Sequence, residues 1–185
     1  MELYNFALTL TGVTADTKGL EDTLFDSGCD DALVCFYGKS VYLEFDRESD
    51  SFCQAVFSAI RDIESAPLGA KVSSVDANLV GLSDIAELSD MSRQAIAMLK
   101  DGTRGSGDFP GPVQRIKGIS PLWRWADVAE WLSEKGKLDA KLAVNARQLD
   151  IINLALQLRE TSERDSIAQY LAMLEQPQQL ADFCH

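Results

Sequence analysis

Arg93 and Gln94 are the neighbours in this chain whose side chains are best built to read a pattern of donors and acceptors. A guanidinium can present two parallel N–H groups to guanine O6 and N7, and a carboxamide can pair with adenine N6 and N7. Ser92 precedes them and suits a helix N-cap, because its hydroxyl can accept from a free N–H of the first turn. Ile96 and Leu99 follow at a spacing of three, which predicts a short amphipathic helix. Ser92, Arg93 and Gln94 then fall at its start, where a recognition helix offers side chains to base edges. Five further bases follow within about 30 residues: Lys100, Arg104, Arg115, Lys117 and Arg124. Cations so placed would hold phosphates or probe a minor groove rather than read sequence.

The elements that must position these residues are legible on either side. Gly81-Leu82-Ser83-Asp84-Ile85-Ala86-Glu87-Leu88-Ser89 predicts a first short helix with Ser83 as its N-cap and Ile85 and Leu88 as apolar residues three apart. A turn through Asp90-Met91 leads to the second helix, so the pair reads as a helix-turn-helix. Downstream, Phe109-Pro110-Gly111-Pro112-Val113 runs into Gln114-Arg115-Ile116, then Lys117-Gly118-Ile119-Ser120, then Pro121-Leu122-Trp123-Arg124-Trp125. This predicts two short strands around a Gly-containing connection, a β-wing. Ala126 to Leu132 has apolar residues at helical spacing, with Asp127 favourable near the helix start. Trp123 and Trp131 are expected to pin wing and helix to a small core, because aromatic residues supply much of the apolar area there. No role is assigned to Trp125.

These features together resemble the winged helix-turn-helix of the AlpA/excisionase group, distant relatives of the MerR regulators. The resemblance rests on Leu82-Ser83-x-x-Ala86-Glu87-Leu88, the Ser92-Arg93 opening, the Phe-Pro-x-Pro-Val run, and Trp123-Arg-x-x-Asp127-Val128-x-x-Trp131. It spans residues 80–132. A Gly-rich insert from Lys100 to Asp108 is longer than the group usually carries. The resemblance implies DNA binding, in transcriptional regulation or in recombination by a mobile element.

Other chemistries find no support. The one histidine is the last residue, His185, which rules out a His-based triad or a multi-His metal site. Cys29, Cys35, Cys53 and Cys184 form no Cys-x-x-Cys pair and read as free thiols of a reducing cytoplasm. The glycine run Gly102-Thr103-Arg104-Gly105-Ser106-Gly107 lacks the Gly-Lys-Ser/Thr ending of a phosphate loop and reads as a connector. The sequence therefore calls for no catalysis, cofactor or metal. It contains no run of 18 apolar residues and no basic-then-apolar leader, so neither a membrane span nor a secretory signal is expected.

The net charge of −12 is unusual for a polyanion binder. It is unevenly spread: residues 1–80 hold 14 acids and 5 bases, residues 81–132 hold 7 and 6, and residues 133–185 hold 8 and 6. The central segment is nearly neutral, which permits DNA binding without favouring it.

The acidic first segment predicts a fold of its own. Tyr4 to Thr11 alternates as a half-buried strand, and Thr14 to Ser27 reads as a helix with Leu20, Leu24 and Phe25 inward and Gly28 past its end. Ala32–Tyr37 and Ser40–Phe45 form a hairpin over Gly38-Lys39, Ser51 to Glu64 a second helix, and Lys71–Val75 a last strand. Strand, helix, strand, strand, helix, strand is the ferredoxin-like order. Asp30-Asp31 reads as a solvated turn.

Beyond Lys137, Leu138–Leu158 and Thr161–Glu175 predict an αα-hairpin. The longer helix carries a seam of Leu142, Leu149, Ile152 and Leu156, and a second strip of Val144, Ile151, Ala155 and Leu158. Either the seam packs onto its own chain, or it is a dimer interface with Asn145 setting register.

The expectation is thus an α+β chain. A ferredoxin-like βαββαβ domain spans residues 1–77, a winged helix-turn-helix 80–134, a helical hairpin 137–176 and a loose tail 177–185. Its expected partners are double-stranded DNA, a second copy of itself, and a protein or small ligand for the first domain. The rival expectation is a protein-interaction module, such as an antitoxin or a recombination accessory factor.

Overall fold

The computed structural model describes residues 1–175; the segment read as a loose tail, 177–185, lies outside the described residues. The chain is mixed α and β, with one four-stranded antiparallel sheet, one two-stranded ribbon and seven helices among the described residues. No helix among them is long and apolar enough to cross a membrane.

The first element, β1 (Glu2–Thr11), alternates as its sequence requires, with Tyr4, Phe6, Leu8 and Leu10 buried. After α1 (Leu20–Asp26), β2 (Ala32–Tyr37) and β3 (Ser40–Ser49) form the hairpin, with Gly38 at φ 60°, a value glycine reaches without a Cβ clash. Next, α2 (Phe52–Ser65) starts at Ser51, whose side chain accepts from the Gln54 N–H, and β4 (Lys71–Asp76) completes the sheet. The strand order is β2-β3-β1-β4. Register sets Tyr4, Phe6, Leu8 and Leu10 beside Arg47, Phe45, Leu43 and Val41 on one face, which α1 and α2 cover. Leu3, Glu44, Asp46, Glu48, Leu33 and Tyr37 fall on the other face and are exposed.

Two expectations in this region need correction. The helix expected over 14–27 is only seven residues long, because Val13 to Gly19 is a turn stitched by Thr14 and Thr17, and Phe25 points outward at 62% exposure. Nor is Asp31 in a solvated turn. Arg47, 7% exposed, donates to both of its oxygens at 2.7 and 2.8 Å, and also to Asp62 and Ser58 side chains and to the Gly28 carbonyl. Its guanidinium stacks on Phe45. A buried cation is tolerable when its donors are engaged in this way.

The next elements are β5 (Leu79–Val80), α3 (Leu82–Leu88), α4 (Arg93–Lys100), β6 (Trp123–Arg124) and α5 (Trp125–Glu134). They enclose a second core built from Val80, Ile85, Ile96, Leu99, Trp123, Val128, Trp131 and Leu132.

Of the two destinations expected for the seam on α6 (Ala140–Glu160), the structure shows packing onto its own chain. At 1.5 Å per residue it spans roughly 30 Å, enough to reach both cores. Leu149, Ile152 and Leu156 enter the sheet core, while Ala146 enters the second core. The seam read as a candidate dimer interface is therefore internal, save Leu142 at 47% exposure. Asn153 explains the tight fit. Its Oδ1 accepts from the Val75 N–H and its Nδ2 donates to the Val75 carbonyl, both at 2.8 Å, so the side chain acts as one more backbone partner along the outer edge of β4. Glu64 takes the Val72 N–H at 3.1 Å and Arg159 donates to the Val72 carbonyl at 2.7 Å. An edge strand closed by side chains cannot recruit another strand. The expected αα-hairpin does not form as a packed pair: α7 (Arg164–Glu175) buries no residue, although Arg164 donates to the carbonyls of Leu158 and Arg159 at the end of α6.

Candidate nucleic-acid interface

The candidate site is built on α4. Ser92 caps it as expected, its Oγ accepting from the Ala95 N–H at 3.1 Å. Ile96 and Leu99 anchor the opposite face at 0 and 2% exposure. A helix held at its cap and along one face presents the remaining side chains in fixed directions. Arg93 and Gln94 are on that exposed side, in the first turn, and neither side chain has a hydrogen-bond or ion-pair partner among the described residues.

The preceding helix, α3, begins differently from expectation. Gly81, not Ser83, is its N-cap, and the Asp84 carboxylate accepts from the Gly81 N–H at 2.7 Å. Ser83 lies within the first turn and is exposed. Asp90, at φ 53°, makes the sharp reversal into α4, and the Met91 N–H returns to the Ala86 carbonyl at 2.9 Å.

The Gly-rich insert is not a free connector. It folds back on the end of α4, where the Met98 carbonyl accepts from Thr103 Oγ1 and from the Arg104 N–H, at 3.1 and 3.2 Å. Its far end is clasped by Asp108, which accepts from Trp131 Nε1 at 3.2 Å, from Lys135 Nζ at 2.8 Å and from Ser106. The Lys135 and Ser106 hydrogen bonds hold the Asp108 carboxyl well below the usual carboxylate range. Phe109 then sets its ring edge-on to Trp131, with centroids 5.1 Å apart, and Trp123 donates Nε1–H to the Pro110 carbonyl at 2.9 Å. The expected pinning by Trp123 and Trp131 is present, and the aspartate that locks it was not legible in advance.

Where a two-stranded wing was expected, little pairing forms. A single bridge joins Gln114 to Leu122, and the strand expected to continue through Trp123 pairs instead with β5, Val80 opposite Trp123. The connection is a tight turn in which Arg115 takes φ 55° and its carbonyl accepts from the Gly118 N–H at 2.9 Å. Arg115 and Lys117 share this exposed turn with Ile116 and Ile119, at 69 and 104% exposure.

The eight candidate residues thus divide by what holds their charge or polarity. Arg93, Gln94, Arg104, Arg115 and Lys117 present side chains with no partner among the described residues. Ser92 is occupied as a cap. Lys100 pairs with Asp101. Arg124 faces α6, its Nε 3.7 Å from Asp150, with its side chain still 45% exposed. The acids Asp127 and Glu130 likewise turn to α6, where Arg147 bridges them at 3.1 and 2.6 Å.

Comparison with protein-family models, with curated proteins and with solved structures returns no match.

Proposed function

We propose that this chain is a sequence-specific DNA-binding protein, most simply a transcriptional regulator, in which α3, the turn and α4 form a winged helix-turn-helix. One observation carries the reading: Arg93 and Gln94 stand exposed and unpartnered in the first turn of a helix fixed by its cap and its buried face. In this reading α4 enters the major groove, with Arg93 on guanine and Gln94 on adenine. Arg115 and Lys117 on the wing turn, with Arg104 on the insert, meet phosphates or the minor groove. Arg124 and Lys100 contribute less, because each already has an acidic neighbour.

The first domain, read as ferredoxin-like from its strand order, supplies dimerisation or partner binding. With the Leu149–Ile152–Leu156 seam internal and the β4 edge closed, the open sheet face, the β2 edge and the exposed α6 strip of Val144, Ile151, Ala155 and Leu158 remain for a second copy. A two-fold dimer would bind an inverted repeat with half-sites near one helical turn apart or a multiple of it. A second reading is favoured by the open face itself. Glu44, Asp46 and Glu48 stand there with Leu33 and Tyr37, a surface suited to a basic protein partner, as in an antitoxin or a recombination accessory factor.

Selection of bound sequences from a random DNA pool, with native mass measured alongside, tests the proposal. Enrichment of a motif supports it; a pool that stays random removes DNA binding and leaves the protein-partner reading.

A further inference from the structure

The two edges of the four-stranded sheet differ. The β4 edge is closed by Asn153, Glu64 and Arg159, whereas β2 pairs with β3 on one side and with no strand on the other. Which of its backbone groups stand open follows from the register. The Asp31 carbonyl accepts from the Asp46 N–H at 3.1 Å, so these two residues are a hydrogen-bonded pair. Antiparallel pairs alternate, so Leu33, Cys35 and Tyr37 turn their N–H and carbonyl groups to β3, while Val34 and Phe36 turn theirs outward. None of these four outward groups has a hydrogen-bond partner among the described residues. The strand also lacks the devices that protect an edge. Ala32 to Tyr37 holds no charge and no proline, and its pairing with β3 runs without a bulge.

A second copy of the same strand fits this edge. A two-fold axis normal to the sheet joins two β2 strands antiparallel and keeps like faces together, so residues of the open face must meet residues of the open face. Centred on Cys35, the pairing sets Val34 of one copy opposite Phe36 of the other, and the outward N–H and carbonyl of each find partners. Leu33 then meets Tyr37, at 63 and 84% exposure, so the most exposed side chains of the strand cover each other. The charges match as well. Asp30 and Asp31 precede the strand and Lys39 follows it, so the acidic end of each copy lies beside the basic end of the other. Asp30 has no ion-pair partner among the described residues, and Lys39 is 80% exposed even with Asp16 beside it. Moving the axis to Val34 would set Tyr37 against Asp31 and lose this match. The acids Glu44, Asp46 and Glu48 stand one strand back, on β3. Three strand spacings, about 14 Å, separate them from those of the second copy, more than the Debye length of about 8 Å at physiological salt.

We infer that β2 is the contact between two copies of this chain, joined edge to edge across a two-fold axis at Cys35 so that their sheets continue as one. This names the surface of the dimer proposed above and stands whether or not the chain binds DNA.

The test is sedimentation velocity of the full chain, without DNA, over a micromolar concentration series. The parent should dimerise. Leu33→Lys puts a charge on the edge, and Val34→Pro removes an outward donor while leaving the bonds to β3 in place. Each change occurs twice in a two-fold contact, so each should weaken the dimer by about tenfold or more. Ile151→Asp, on the exposed strip of α6, should leave the dimer intact. Mild oxidation of Cys184→Ser should join the copies through Cys35, because a non-hydrogen-bonded antiparallel pair sets its Cα atoms about 4.5 Å apart, within disulfide reach; peptide mass mapping reads the bond. A parent that stays monomeric, a dimer indifferent to Leu33→Lys and Val34→Pro, dissociation by Ile151→Asp, or a dimer that forms no Cys35–Cys35 link would each overturn the inference. The oxidation leaves β2 unaltered, so it decides the matter even if an edge variant fails to fold. No arm involves DNA or α4, so its failure would leave the DNA-binding reading standing.

Discussion

Replacing Asn153 by alanine should destabilise the chain far more than its small volume suggests. The side chain is 3% exposed and serves both the N–H and the carbonyl of Val75. An unsatisfied buried donor or acceptor costs about 1–3 kcal/mol. Two such groups give a range of about 2–6 kcal/mol, and water entering at the strand edge should bring the loss to about 3. For a chain of this size that lowers the melting temperature by about 6–12 °C. Leu154→Ala, one residue on and 53% exposed, is the control and should change stability by no more than about 0.5 kcal/mol. Asn153→Asp sharpens the test. Its carboxylate would still accept from the Val75 N–H but would oppose the Val75 carbonyl. Burial raises the pKa of such a group, so the penalty should be full at neutral pH and shrink as pH falls and the carboxyl regains a proton to donate. Urea unfolding at pH 7 and at acid pH measures all three variants. A loss below about 1 kcal/mol for Asn153→Ala, or a penalty for Asn153→Asp that grows with acid, would refute the view of α6 as the partner of β4.

Three further outcomes follow from the same packing. Arg47→Ala should cost about 3–5 kcal/mol in urea unfolding, because it strands Asp31 and Asp62 without their shared cation; a loss below about 1 kcal/mol would show the network to be dispensable. Burial pushes the Glu64 carboxyl up, but the Val72 N–H, Lys71 and Arg159 outweigh it and hold the carboxyl below its ordinary value of 4.5. The advantage of the wild type over Glu64→Gln should therefore be full above that value and fade as pH falls through the lower folded one, and a gap that stays constant into acid would contradict this. Burial also pushes the Cys29 thiol up to about 11. Iodoacetamide at mildly alkaline pH should thus label the partly exposed Cys35 and Cys53 well before Cys29, with peptide mass mapping as the readout.

The order of elements was legible because period-2 and period-3.6 patterns are local, and Tyr4 to Leu10 or Phe52 to Ile63 carry them within a few turns of chain. Ser92 could be read as a cap for the same reason. What escaped the sequence is held by single polar contacts across long separations. Asn153 meets Val75 from 78 residues away, and Asp108 meets Trp131 and Lys135. Nothing in the neighbourhood of either residue marks it out. The α6 seam had the correct apolar residues but an open destination, since periodicity says which side is buried and not against what. Ser83 misled because a serine before an apolar run is a good cap only if no better start precedes it, and Gly81 with Asp84 supplies one. In the candidate site, residue identity picked out the basic side chains, but which of them meet acids within the chain depended on folding. Arg124 faces Asp150 on α6, 26 residues further along.

The most direct test of the central claim is the affinity of Arg93→Ala for the DNA sequence that the parent selects, measured against scrambled DNA over a range of salt. Lys117→Ala serves as the comparison. Arg93→Ala should lose about 1–3 kcal/mol on the selected site and relax base preference at one position. Lys117→Ala should weaken all sequences alike and lower the salt slope by about one. Parent-like affinity and base preference in Arg93→Ala would take α4 out of the groove and contradict the account.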